Sequence, residues 1–416
     1  MGSIIFYGAG KYAEHNFSRW IKNNLVPVCF SDADKNKHGK SFGDGGVMIH
    51  PLDYAVSHYP DYEIYLTVGV DALGKVTKYL LNEKNIPRVR IKYPDAVETR
   101  RGCKLIGTRI QFFSEKIGTC CKRHAVTISY SGNFEENFDN YRNFCTDLIS
   151  KLRLGEKTVC DDCVQLREDI WPVEPRLELI GLGPEAFEDD ECNFNCVFCE
   201  NKKRFNKSPN KFTLIEMIRS LEQMSKGERL NIVLASGEIA ISPYRDEVFD
   251  IIRNNSWKVD VFTNASVFIG KLADLLYAGY ARIQVSMDAG TPATFAKIKG
   301  VDCWEKVVSV LQKYAAYTKS AGQIELKYIF LRDINDNKAD IDGFIELAER
   351  LNADVVISSE EGMIDVPLPE KTIKCVARLM EICRDRGIRF GFATEHFNPG
   401  TYEKLTAQER KYVETG

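Results

Sequence analysis

The sequence lacks an excess of either charge. Lysine plus arginine number 56 against 59 acids, a formal net charge of −3, which leaves no basic face for a nucleic acid to follow. It has no apolar stretch near the roughly 20 residues that cross a bilayer. Histidine is scarce and scattered, at positions 15, 38, 50, 58, 124 and 396, so a histidine-built metal site is not expected. No Ser/His/Asp set or paired carboxylates offer acid–base chemistry in their place. The N-terminus runs straight into an apolar strand without a charged leader, so no signal peptide and a cytoplasmic location are expected. Phe6 stands where a myristoylation motif wants Ser or Thr. There is no short-period repeat and no low-complexity tract.

What is there is cysteine. The 416 residues are 44% hydrophobic, enough to bury the cores of two or three domains. Thirteen cysteines in a cytosolic chain of this size point to metal or catalysis and not to disulfides. Cys103, Cys120, Cys121, Cys145, Cys160, Cys163, Cys192, Cys196 and Cys199 crowd the middle of the chain. Cys29, Cys303, Cys375 and Cys383 stand alone in apolar or helical surroundings and read as small buried hydrophobes.

Strand and helix signals alternate at both ends of the chain. Ser3–Tyr7, Val26–Phe30 and Glu63–Val68 read as strands, with helices running to Asn24 and over Leu73–Asn82, a pattern of βαβ units. Residues 1–95 are therefore expected to form a parallel-sheet domain. Residues 99–175 break into short strands (Ile110–Phe113 and Ala125–Tyr130), a helix over Tyr141–Leu152 and clustered cysteines, with too little apolar content for a large core. A metal would supply there what packing does not. From Leu177 the alternation resumes. Strand candidates are Leu177–Leu182, Ile232–Ala235, Val259–Thr263, Ile283–Met287, Ile324–Leu331 and Val355–Ser358, with amphipathic segments such as Leu214–Met224, Asp246–Asn254, Trp304–Lys319 and Ile341–Leu351 between them. Thr291 reads as an N-cap with Pro292 in the first helical turn. Six such units over residues 176–400 predict an α/β fold, a barrel or part of one, with chemistry where strands end. Residues 401–416 are left as a C-terminal tail.

Cys192, Cys196 and Cys199 follow the first of these strands as C-x3-C-x2-C. Three thiolates on one loop can hold three irons of a [4Fe–4S] cluster and leave the fourth open to a small molecule. Structural zinc, by contrast, wants four ligands in paired spacings. With Phe198 in the place before the last cysteine, residues 177–394 resemble the radical S-adenosylmethionine (radical SAM) enzymes, whose partial (β/α)6 barrel carries this signature. The order of later motifs strengthens the resemblance. Ser236-Gly237-Glu238 after the second strand is similar to the Gly-Gly-Glu element that holds the SAM amino group, with Ser236 replacing a glycine. Thr263-Asn264 looks like the polar end of the third strand. Ser286-Met287-Asp288-Ala289-Gly290-Thr291-Pro292 matches the run after the fourth, which implies Ser286 and Asp288 near the SAM ribose or carboxylate. Lys327 and Asn335 flank the fifth strand as further candidates. A carboxylate such as Glu238 suits an ammonium, and Gly237 allows close backbone approach.

Two more features lie upstream. Cys103, Cys120, Cys160 and Cys163, with Cys121 or Cys145 as substitutes, are similar to the SPASM or twitch extensions that carry a second [4Fe–4S] cluster. Here they precede the barrel where such extensions normally follow it, and zinc is the alternative metal. Gly8-x-Gly10-x-x-Ala13, with Asp32 about twenty residues on, allows a tight turn and a phosphate at a helix N-terminus. The first domain thereby resembles small Rossmann-like domains found with sugar-modifying enzymes, and either nucleotide or nucleotide-sugar binding or a structural role is implied.

The resemblance implies reductive cleavage of SAM to a 5′-deoxyadenosyl radical that takes hydrogen from a sugar, nucleotide-sugar or peptide, with oxidation, epimerisation, elimination or cross-linking as the outcome. An electron donor such as flavodoxin or ferredoxin is the implied partner, with no nucleic acid and no membrane span. An activase that installs a radical on a partner protein, or an iron–sulfur electron-transfer or nucleotide-binding protein, is the alternative.

Overall fold

A computed structural model of the chain describes residues 2–43, 46–113, 116–120, 127–129, 133–161, 163, 166–183, 186, 191–199, 212–225, 229–360, 366–393, 396–398 and 400–405. They group into two units, Met1–Arg109 with Asp139–Leu177, and Ile110–Phe138 with Glu178–Gly416.

The first unit is built on β1 (Ile4–Tyr7), whose side chains are buried on both faces. Ile5 packs with Cys29, Ile64, Leu66 and Leu80, while Phe6 packs with Trp20, Phe30 and Phe42. A strand that is apolar on both sides belongs in the middle of a parallel sheet covered on each face. Accordingly α1 (Lys11–Lys22), β2 (Cys29–Ser31), β3 (Ser41–Phe42), β4 (Val47–His50), α2 (Leu52–His58), β5 (Glu63–Leu66), α3 (Leu73–Asn82) and β6 (Ile91–Lys92) follow. The sheet order is β3-β4-β2-β1-β5-β6, with only β3 antiparallel to its neighbour. β7 (Val97–Gly102) forms a separate antiparallel ribbon with a strand near residue 170.

The middle of the chain is shared between the units. β8 (Arg109–Phe112), β9 (Lys116–Gly118) and β10 (Thr127–Ser129) are an antiparallel run of the second unit's sheet. The expected strand over Ala125–Tyr130 is described only as β10. α4 (Phe134–Leu154) begins two turns before the expected Tyr141, because Phe134 and Phe138 extend the buried stripe of Tyr141, Cys145, Leu148, Ile149 and Leu152. β11 (Arg167–Pro172) is the partner of β7, paired from Val97–Pro172 to Gly102–Arg167.

In the second unit the six expected strands appear as β12 (Leu179–Leu182), β13 (Asn231–Leu234), β14 (Lys258–Phe262), β15 (Ala281–Ser286), β16 (Ile324–Phe330) and β17 (Asp354–Ser359). The helices behind them are α5 (Leu214–Ser225), α6 (Arg245–Asn254), α7 (Gly270–Ala278), α8 (Pro292–Lys299), α9 (Trp304–Ala315), α10 (Lys338–Arg350) and α11 (Glu370–Asp385). The six strands are parallel and neighbour one another in chain order, the partial barrel expected of repeated βα units. A seventh parallel strand, β18 (Phe390–Phe392), pairs with β17. Three residues are too few for a period of two to be read from sequence. β8 lies beside β12 on the other side of the parallel strands, where Gly181 leaves room for the Gln111 side chain. Among the described residues no helix is long and apolar enough to cross a membrane.

One close backbone contact locks the β15–α8 connection. A Cβ at Gly290 would overlap the Asp340 carbonyl and lie 2.5 Å from the Phe344 N, and a Cβ at Gly343 would overlap the Gly290 carbonyl. Asp340 completes the lock. It accepts from the Gly290 and Thr291 N–H groups and from the hydroxyls of Thr291 and Thr294. Thr291 caps α8 as expected, accepting from the Thr294 N–H at 3.3 Å, with Pro292 in the first turn.

Gly290→Ala and Gly343→Ala are each expected to cost about 2–3 kcal/mol through overpacking, seen as a lower urea midpoint at unchanged slope. Gly270→Ala is the control. It places a methyl at an exposed first helical position with nothing within 4 Å and is expected to leave stability the same or slightly higher. Equal midpoints for Gly290→Ala and Gly270→Ala would mean that α10 does not bear on this connection.

Candidate functional site at the cysteine loop

Because β12 to β17 are parallel, their C-terminal ends open onto one edge of the sheet, and the loop 191–199 follows β12. Backbone bonds tie this loop to α8: the Asn195 N–H donates to the Lys299 carbonyl at 3.0 Å and the Val197 N–H to the Ile298 carbonyl at 2.8 Å. The last carbonyls of a helix have no partner inside it, and here the loop supplies a donor to two of them. Gly300, at φ +68°, ends α8 and leaves space for the loop, since a Cβ there would meet the Asn195 carbonyl at 2.5 Å. Phe198 packs on Ile298, Ile329 and Leu331, and Phe194 meets Phe295 edge to face.

The loop is also tied to the second and third strand ends. The Glu238 N–H donates to the Glu191 carbonyl at 2.6 Å. The Asn264 side-chain amide donates to Asn193 Oδ1 at 2.8 Å and lies 3.8 Å from Cys192 Sγ, while Asn193 donates to Ser266 Oγ at 3.0 Å. A second donor, the Phe194 N–H, reaches Cys192 Sγ at 3.5 Å. Burial pushes the Cys192 thiol up to about 11, helped by the nearby Glu238, Cys196 and Cys199 and opposed by the Phe194 N–H. Such a thiol ionises only when a cation joins it. Among the described residues no three His, Cys, Asp or Glu side chains are grouped tightly enough to grip a single metal ion. Cys196 and Cys199 are nevertheless near enough to weigh on the charge of Cys192. Three thiols on one loop, with N–H donors aimed at one of them, fit a cluster that takes three thiolates.

Glu238 is almost fully buried, at 3% exposure. Its Oε1 accepts from Thr263 Oγ1 at 2.7 Å and from the Ala240 N–H at 3.0 Å, and its Oε2 accepts from the Asn264 N–H. Burial raises its affinity for a proton and these three donors lower it. A carboxylate has about four acceptor positions, so one on Oε2 remains. Gly237 sits at φ +54°, a conformation that glycine adopts without the Cβ penalty. Ser236 beside it is buried.

At the fourth strand, Ser286 is half-buried and paired in register with Lys327 of β16. Asp288 is fully buried at φ +56°. One of its oxygens meets Lys299 Nζ, the other accepts from the Ile329 N–H at 2.8 Å, and its carbonyl accepts from Asn335. Asn335 likewise spends its amide on the Asp288 and Ile329 carbonyls and on the Leu331 N–H. Both side chains therefore hold the β15 and β16 strand ends together. Lys299 and Asn193 went unnoticed in the sequence. The only available signal was a lysine falling on the apolar stripe of α8, beside Phe295 and Ile298.

Most of the other expected residues belong to the first unit. Cys103, Cys160 and Cys163 belong to the first unit and Cys120 to the second; Cys145 is buried on α4, and Cys121 lies outside the described residues. At the glycine-rich start, Gly8 has φ +114° and donates its N–H to the Ser31 carbonyl. Asp32 accepts from the Ala9 N–H at 2.7 Å, from the Asp34 N–H at 2.9 Å and from Lys37 Nζ at 2.9 Å, so the turn from Gly8 to Gly10 is closed by Asp32 itself.

Residues 190–348 match the family model described as the radical SAM superfamily. The chain is 28% identical over 153 residues to a GTP 3',8-cyclase of Desulforamulus reducens, 36% of this chain and 46% of that one. It is 26% identical over 246 residues to a protein named GTPase Obg of Brachyspira hyodysenteriae, 56% of this chain and 35% of that one. It thus spans half or less of the length of these curated relatives. Among solved structures, Streptococcus suis SuiB bound to S-adenosylmethionine aligns with a TM-score of 0.39 at 13% identity, covering 64% of this chain and 57% of that one. Native anSMEcpe with bound AdoMet aligns with a TM-score of 0.41 at 14% identity, covering 52% and 64%. The cysteine loop docked at the ends of consecutive parallel strands, and the strands after it, fall within the residues that match the radical SAM superfamily model.

Proposed function

We propose that this chain is a radical SAM enzyme that binds a [4Fe–4S] cluster through Cys192, Cys196 and Cys199 and abstracts hydrogen from a sugar, nucleotide-linked sugar or peptide. Members of the superfamily are enzymes that use such a cluster together with SAM. The observation that supports this reading is the meeting of three strand ends at one thiol: Cys192 lies beside Asn264, and Asn264 donates its backbone N–H to Glu238. When bound, the cluster supplies the electron for reductive cleavage of a C–S bond of SAM, chemistry that belongs to the cofactors.

The chain's own residues then have separable tasks. Glu238 would receive the SAM ammonium on its remaining acceptor position, with Thr263, Ala240 and Asn264 holding the carboxylate in place. Gly237 and Ser236 would bring backbone close to the ligand. Ser286 and Lys327, side by side on neighbouring strands, would face the ribose or carboxylate end. Phe198, packed on α8, would hold the loop between Cys196 and Cys199. An electron donor of the flavodoxin or ferredoxin kind completes the scheme, and oxidation, epimerisation, elimination and cross-linking all share the hydrogen-abstraction step.

Replacing Cys192, Cys196 and Cys199 together by Ala is expected to remove about four irons per chain and all formation of 5′-deoxyadenosine from SAM under anaerobic dithionite, measured by chromatography. A triple variant that still forms 5′-deoxyadenosine would overturn the assignment.

Glu238 makes a second test. Its contact with the ammonium is a charge-assisted bond of roughly 1.5–3 kcal/mol, so Glu238→Ala should weaken SAM binding by about one to two orders of magnitude. It also strands the Ala240 and Asn264 N–H groups, so melting should fall as well. Glu238→Gln keeps acceptors for part of this set and should lose less of both. Iron content should stay at the wild-type level in each variant. Unchanged SAM affinity alongside lowered stability would assign Glu238 to the fold alone.

A further inference from the structure

A loop that carries three cysteines is in the wrong place electrostatically at the C-terminal end of a helix once its thiols ionise. That end carries roughly half a negative charge, and it is the N-terminal end that favours anions. The cysteine loop nevertheless docks there, on the carbonyls of Ile298 and Lys299. The last residue of this helix is a buried lysine. The Lys299 side chain is 4% exposed, its ammonium contacts the fully buried Asp288, and Nζ lies 5.2 Å from the centre of the Phe198 ring. An ammonium over an aromatic face is attracted to it, more so when water is excluded. Phe198 sits directly before Cys199 in the chain. Burying an ammonium is costly unless it is paired, and Asp288 provides the pairing from the end of β15 while its other oxygen accepts from the Ile329 N–H.

We propose that Lys299, held by Asp288, is a positioning residue for the cysteine loop: its charge offsets the negative end of α8 beneath the thiolates and ties Phe198 to the β15 strand end. This rests on the cluster reading above. The two members of the pair carry opposite charges, so they act on the loop's charge in opposite senses. Lys299→Met keeps the bulk of the stem and removes the positive end. Asp288→Asn keeps the shape and removes the negative end. Lys299→Arg keeps the charge, and Lys299→Met with Asp288→Asn removes both.

The test is a redox titration of anaerobically reconstituted proteins followed by electron paramagnetic resonance, with iron per chain and thermal melting measured on the same samples. The midpoint potential of the cluster is expected to move down in Lys299→Met and up in Asp288→Asn, and to stay near wild type in Lys299→Arg and in the double variant. A role in stability alone would lower melting in both single variants without opposite shifts in potential. Potentials that do not move, or that move together, overturn the proposal. If Lys299→Met folds but retains no iron, recovery of iron in Lys299→Arg and in the double variant supports it, and failure to recover in both overturns it. Wild-type protein that takes up no iron would instead refute the cluster reading, a result separate from any of these.

Discussion

The arrangement of this protein's site depends on how one loop terminates one helix. α8 ends with carbonyls that need donors, and the N–H groups of Asn195 and Val197 are those donors. Hydrogen bonds of this kind add only about 1 kcal/mol each net, but leaving the carbonyls buried without partners would cost more. The loop is therefore held by the needs of the helix as much as by its own residues. Since α8 is itself fixed by Asp340 and by the contact of Gly290 with Gly343, the position of the thiols is inherited from the packing of α10 on the β15–α8 connection. A methyl group placed at Gly290 or Gly343 should be felt at the site.

The strand ends use their polar residues twice. Glu238 is a buried acid that would be unfavourable without donors, and three donors from two connections meet it. In doing so they join the end of β13 to the end of β14 before any ligand arrives. Asp288 and Asn335 do the same between β15 and β16. A site assembled in this way is pre-organised: its hydrogen bonds are made in the fold, and a ligand adds to them without having to order them.

The first unit follows other constraints. Its central strand is covered on both faces by separate apolar clusters, and Asp32 closes the glycine turn by accepting from Ala9 and Lys37. Gly8 is needed for the turn itself, since a Cβ there would overlap Val68, whereas a Cβ at Gly10 would meet nothing. In the ribbon that follows, β11 reaches α3 at Gly74, where a side chain would overlap Asp169.

Patterns of spacing are local, and what they fix was readable directly. The six parallel strands, the helix over Leu73–Asn82, the cap at Thr291 and the loop bearing Cys192, Cys196 and Cys199 each follow from a period or motif within a few neighbouring residues. Partnership is not local. Nothing in the sequence said that Lys299 would meet Asp288, that Asn264 would reach across to Cys192, or that Asp32 would turn back on its own glycine loop. Nor did it show that the middle segment would be divided between two units, with Cys120 in one and Cys103, Cys160 and Cys163 in the other. A buried charge or amide needs a partner, and the energy of that need is indifferent to distance along the chain. Only the folded arrangement of strand ends decided which residue would answer it.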